Sequence, residues 1–152
     1  RTLPAEAVLL LTGYRADPDF LRAAGVEVDP ETLVPRHDPA TFETNVPGVY
    51  AIGDVTTVPL AMGKPLPKAG ALAHRQGEVV AANISAQWSD STVRRQFDGH
   101  GECFLETGDG RAGFGAGNFY ADPTPQIALK APSCLWHWGK VAFEWKWLRG
   151  WF

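Results

Sequence analysis

The sequence is poor in the residues that most often carry chemistry unaided. It has two cysteines in 152 residues, Cys103 and Cys134, too few for a disulfide scaffold and without metal-ligand spacing. His37, His100 and His137 are also not spaced as metal ligands. Ser85, Ser89, Ser91 and Ser133 lack the strand-to-helix elbow that activates a serine nucleophile. Basic residues are scarce and scattered, 14 against 17 acidic for a net charge of −3, which excludes nucleic acid as a partner class. No run approaches the ~18 apolar residues that cross a bilayer. A secretory signal is not visible either, though a first residue of Arg1 leaves that open.

What the chain has in quantity is glycine (16), proline (12) and tryptophan (6), with five of the six tryptophans between positions 136 and 151. Its length suits one domain with an adequate core. Ala7 to Leu11 is a continuous apolar run, as in a strand buried on both faces, closed by Gly13. Asp17-Pro18 starts a short helix with an N-cap and a first-position proline; Phe20 and Leu21 are its apolar contacts and Gly25 its end. Val26 to Arg36 reads as a loop or weak hairpin.

The centre of the chain is Val49-Tyr50-Ala51-Ile52-Gly53-Asp54. The apolar run reads as a buried strand. Gly53 lets a backbone approach a ligand, and Asp54 falls at the strand's carboxyl end, where open α/β sheets bind. A Pro- and Gly-rich loop follows. From Lys68 to Trp88 the spacing predicts a helix with Leu72, Gln76, Val79, Val80, Asn83 and Ile84 on one face, its N-terminus able to meet an electron-rich group. Gly77 within it marks a close contact. Val93 to Phe97, Glu102 to Thr107 and Arg111 to Tyr120 read as an antiparallel meander, with turns at 98–101 and 108–110. Gly108 to Gly113 fits G-x-G-x-x-G literally, but no helix can start at the glycines that follow, so no nucleotide site is read there. Residues 122–125 form a linker. The helix from His137 to Phe152 carries Trp138, Val141, Ala142, Trp145, Leu148 and Phe152 on one stripe, widened by Phe143, Trp147 and Trp151. Such a helix either lies in a membrane interface or packs on protein.

Thr44 followed after six residues by Ala51-Ile52-Gly53-Asp54 resembles the second FAD-binding motif of the two-dinucleotide-binding-domain flavoproteins of the disulfide reductase superfamily. The resemblance implies an α/β fold: the C-terminal part of a Rossmann-like flavoprotein, ending in a β meander and an amphipathic helix. It implies the end of the NAD-like domain and crossover at 1–40, part of the FAD domain at 41–90 and the meander with its helix at 91–152. The cofactor implied is FAD, with Gly53 and Asp54 at its ribityl chain and Lys68, Ala69 and Gly70 near the pyrimidine edge of its ring.

The segment Gly99 to Gly108, with Cys103 at its centre, and the Lys68-Ala69-Gly70 element resemble the sulfide:quinone oxidoreductase branch. That resemblance makes Cys103 the catalytic residue, acting with a second cysteine outside this sequence to take sulfide sulfur and pass two electrons through FAD to a quinone. It makes the segment Trp138 to Phe152 a docking surface for a membrane, and the protein peripheral to it; a homo-oligomer stays open. The thiolate needs a nearby cation, for which the sequence offers His100 and Lys68, while Glu102 opposes it if it shares a face with Cys103. A buried, inert Cys103 remains the alternative, and a Cys103–Cys134 pairing stays open. Rival readings are a type II NADH:quinone oxidoreductase, which needs no cysteine, a flavocytochrome-type sulfide dehydrogenase, and a non-enzymatic FAD-fold module.

Overall fold

The computed structural model describes residues 17–150. The expected strand within Glu6 to Thr12, the crossover at Thr12-Gly13-Tyr14, and Trp151 and Phe152 lie outside the described residues. Helix α1 (Pro18–Ala23) starts where the sequence predicts. Asp17 caps it, its carboxylate accepting from the N–H groups of Asp19 (3.0 Å) and Phe20 (3.3 Å), and Gly25 leaves it at φ +80°. The helix is too short to bury a face, and Phe20, expected as an apolar contact, is 71% exposed.

The stretch from Val26 to Ala69 has few regular elements. It is held by isolated bridges, Val28 to Pro35, His37 to Thr44, Glu43 to Tyr50 and Pro59 to Pro65. The Val49–Ile52 run is therefore extended but not a sheet strand, which corrects the sequence reading. Tyr50 makes one bridge, Ala51 donates to Phe42 O (2.9 Å), and no further strand runs beside them among the described residues. A strand is named by its neighbours' hydrogen bonds, and an apolar run cannot declare that those neighbours exist.

Helix α2 spans Gly70–Trp88 and buries Leu72, Gln76, Val79 and Asn83, four positions of the predicted face. With Phe42, Val58, Leu60, Leu66 and Phe97, Leu72 and Val79 form the core cluster. The expected strand at Val93 to Phe97 is irregular. Asn83, 1% exposed, occupies its hydrogen bonds like a strand edge, donating to Arg95 O (3.0 Å) and accepting from Arg95 N–H (2.7 Å). Gly77, expected at a close contact, has room: an added Cβ would sit 3.7 Å from Ile52 Cδ1, an ordinary contact.

The meander is built from β1 (His100–Gly108), β2 (Arg111–Asn118) and β3 (Gln126–Ser133), antiparallel in that order. The turn at 108–110 forms as predicted, with Asp109 and Gly110 both at positive φ, whereas His100 and Gly101 belong to β1 rather than to a turn. Strand β3 was missed because Lys130 and Pro132 break its apolar pattern, which is how an edge strand reads. Gly101 admits no side chain, since an added Cβ would land on Leu72 of α2.

Helix α3 (Cys134–Gly150) starts three residues before the predicted His137 and packs on the sheet. Trp136 stacks on Phe114 (ring centroids 4.8 Å, 12° between planes), and Phe143 meets Phe104 (5.8 Å). The two apolar groups of this helix are thus separate. Phe143, still 39% exposed, and Trp147 turn towards protein, with Trp147 5.8 Å from the His74 ring, while Leu135, Trp138 (66% exposed), Val141 and Trp145 form an outward stripe and Leu148 (58%) sits at the edge between the two. The expectation that Phe143 and Trp147 widen the Trp138 stripe is corrected: they lie on the inner side because the sheet offers Phe104 to receive them.

Candidate functional site

At the end of the Val49–Ile52 run the chain turns at Gly53, φ +70°, into a single 3-10 turn, Gly53–Val55. Only glycine takes this φ without strain. Side chains hold the turn by its main chain. Gly53 N–H donates to Gln76 Oε1 (2.7 Å), the Thr56 hydroxyl donates to Gly53 O (2.7 Å), and Lys68 Nζ donates to Asp54 O (2.6 Å). The Asp54 carboxylate is exposed and makes no hydrogen bond or ion pair among the described residues. Thr44 stays within its own loop, its hydroxyl at 3.1 Å from Val46 N–H.

Helix α2 begins beside this turn. Its N-cap Ala69 offers no side-chain oxygen, so the first amides of a 19-residue helix keep their donors and the positive end of the dipole. Gly53, Asp54, Lys68, Ala69 and Gln76 meet in a narrow seam of about 10 Å³. Ala69 and Gly70 also line a cavity of about 380 Å³ on the other side, together with Cys103, Phe104, Phe143 and Trp147. The structure thus brings the α2 N-terminus and Cys103 into one space and leaves Gly53, Asp54 and Lys68 in the adjoining seam. Phe143 and Trp147 are the wall residues the sequence reading missed, since only the docking of α3 shows which of its aromatics face inward. A larger cavity, about 490 Å³, lies among Glu27, Asp29, Thr32, Arg36, His37 and Thr57 and holds none of the expected site residues.

Cys103 is exposed, its Sγ 3.3 Å from Phe104 O. The cations expected beside it are elsewhere: His100 Nδ1 sits 3.4 Å from Asp98, and Lys68 is committed to Asp54 O. Lys140 lines the cavity instead, its Nζ 3.4 Å from Glu106 Oε1. Glu102 lines the same cavity as Cys103, its carboxylate paired with Arg75 (3.2 Å). Glu106 also accepts from His137 Nδ1 (3.1 Å). Partial desolvation pushes its carboxyl up, but the hydrogen bonds from His137 and Lys140 outweigh this and hold it below the usual range. Cys134 is beyond reach of Cys103. Cys103 is in register with Gly115, which is paired with Leu129, and Cys134 lies five residues further on, about 16 Å at strand rise and on the far strand.

The sequence model of the pyridine nucleotide-disulphide oxidoreductases matches residues 1–77, the stretch that contains Gly53, Asp54, Lys68, Ala69, Gly70 and Gln76. The chain belongs to this family. Cys103 and the meander fall outside the matched stretch. Apoptosis-inducing factor 3 from Mus musculus is 37% identical over 91 residues, 57% of this chain and 14% of its own length. Bacilliredoxin reductase Bdr from Bacillus subtilis is 44% identical over 52 residues, 34% of this chain and 16% of its own. The chain therefore spans under a fifth of the length of these relatives. The sulfide:quinone oxidoreductase of Aquifex aeolicus has the same fold over 80% of this chain and 29% of its own, with a TM-score of 0.67 at 21% identity. That agrees with the expected α/β architecture of a Rossmann-like flavoprotein's C-terminal part, with its meander and terminal helix.

Proposed function

We propose that this chain is the C-terminal part of an FAD-dependent enzyme that oxidises sulfide and reduces a membrane quinone. One observation carries the reading: Cys103 and the uncapped N-terminus of α2 open into a single cavity walled by Phe104, Phe143 and Trp147. The residues present fit the cofactor. The Asp54 carboxylate, without a partner among the described residues, suits the hydroxyls of a ribityl chain, and the α2 amides suit the electron-rich pyrimidine edge, with Ala69 and Gly70 beside it. When bound, FAD supplies a two-electron relay.

The chain's own groups do the rest. Cys103 takes the sulfur as an exposed thiol, and the aromatic wall accepts a planar quinone ring. Lys140, held by Glu106, is the cation able to donate to a quinone carbonyl. The balance is HS⁻ plus quinone plus one proton giving zero-valent sulfur plus quinol. A second cysteine outside this sequence completes the sulfur carrier. The outward stripe of α3 lies in the membrane interface, with the Arg149 guanidinium 3.9 Å above the Trp145 ring at its end.

The test uses the full-length protein. Sulfide is expected to bleach the flavin and reduce a soluble quinone analogue, and Cys103→Ser to slow both at least 100-fold. Bleaching by NADH but not by sulfide, unaltered in the variant, overturns the reading in favour of an NADH:quinone oxidoreductase.

A further inference from the structure

We infer that Gln76 is the positioning residue of the flavin site: from inside α2 it fixes the Gly53–Asp54 turn and so sets the Asp54 carboxylate at a constant offset from the helix N-terminus. The inference rests on the flavin reading above. Gln76 is 3% exposed, at an inward position between Leu72 and Val79, where burial alone favours an apolar side chain. Its amide oxygen accepts the Gly53 N–H at 2.7 Å. Among the described residues that N–H has no bridge or turn partner: the last main-chain bond of the extended run is from Ala51 N–H to Phe42 O, and the next is from Thr56 N–H to Gly53 O. Without Gln76 the donor would be left unpaired against Ala73, whose Cβ is 3.4 Å from where a Cβ on Gly53 would sit.

The location gives the bond its consequence. Gln76 lies six residues from Gly70, about 9 Å along one rigid helix. The helix therefore carries the amides that would meet the pyrimidine edge and, through Gln76, the turn that aims the carboxylate at the ribityl chain. Thr56 and Lys68 hold the same turn by its carbonyls, so all three side chains bind main chain and leave the carboxylate unengaged among the described residues. Two grips on one cofactor need a fixed separation, and Gln76 is the strut between them.

The experiment compares flavin affinity and the visible spectrum of bound flavin in the full-length protein and two variants. Gln76→Met keeps the volume and removes the acceptor; Gln76→Glu keeps an acceptor oxygen. Met is expected to weaken flavin binding at least tenfold and to shift the visible circular dichroism of the flavin, with Glu at pH 8 within threefold of wild type. Packing alone predicts the opposite order, and a Met variant that binds flavin like wild type overturns the inference. A second measurement needs no variant. In the flavin-free wild type, the Gly53 amide is expected to exchange at least 100-fold more slowly than an unstructured amide; fast exchange until flavin is added means that the cofactor sets the turn and overturns the inference. A wild type that takes up no flavin overturns the flavin reading and this inference with it.

Discussion

Three glycines show how much a single missing side chain decides. Gly53 is required by its φ of +70° and Gly101 by Leu72, which fills the space a Cβ would take, while Gly77 is required by neither. Gly77→Ala is accordingly expected to stabilise the fold by about 1 kcal/mol, the helix-propensity difference. Gly101→Ala is expected to cost on the order of 2 kcal/mol or more through overpacking against Leu72. Urea unfolding of the two variants measures both, and a destabilised Gly77→Ala would restore the close contact that the sequence suggests. Tyr120 gives a second prediction at this scale. Desolvation, then the charges of Asp38 and Asp98, push its hydroxyl up to about 12. The folded state therefore keeps a proton that the unfolded chain releases near pH 10, so this contribution is whole below about pH 10 and is lost as pH rises towards 12. Tyr120→Phe is expected to flatten stability across that window. At the acid end the signs reverse. Hydrogen bonds from Thr32 to Asp29, Thr41 to Asp38 and His100 to Asp98 lower these carboxyls, so their stabilisation is present above about pH 4 and fades below it.

Among the elements, α3 couples the cavity to the outside. Its residues Phe143, Trp147 and the edge residue Leu148 line the space that holds Cys103, and its outer stripe of Leu135, Trp138, Val141 and Trp145 meets solvent. Exposed tryptophans along a helix are costly unless a surface receives them. In the full-length protein, the double variant Trp138→Glu, Trp145→Glu is expected to lower partitioning onto phospholipid vesicles on the order of tenfold or more. It should leave the Cys103 cavity and flavin content unaltered, because neither residue lines it. Unchanged sedimentation with vesicles would mean that this face is covered by protein instead. Helix α2 plays the matching part on the other side. It buries core residues, holds the irregular segment at Arg95 through Asn83, and presents its N-terminus to the same cavity.

At the scale of the whole molecule, two parts pack on α2, one through Gln76 and the Phe42 core and the other through Leu72 against Gly101. One is the bridge-held segment around Phe42 with its Gly53–Asp54 turn, and the other is the meander with α3. Local signals were enough for the parts that are local. Asp17-Pro18 names a helix start, Leu72, Gln76, Val79 and Asn83 name a buried helix face, and Asp109-Gly110 names a hairpin turn, because each is decided within a few residues. The sequence also places Gly53, Asp54 and the α2 N-terminus near one another, since extended run, loop and helix are consecutive. It could not place Val49–Ile52 or Val93 to Phe97 in or out of a sheet, because pairing depends on partners elsewhere in the chain. Nor could it find Lys140, Phe143 and Trp147 in the wall around Cys103, some forty residues away in sequence. Local pattern and periodicity thus determined the helices and the tight turns, and the residues Ala51 to Asp54 carried the family resemblance. Tertiary structure alone decided which aromatics of α3 point inward, that Cys103 and Cys134 lie apart, and that Gln76 reaches Gly53, because these follow from how rigid elements dock and not from any residue's own preference.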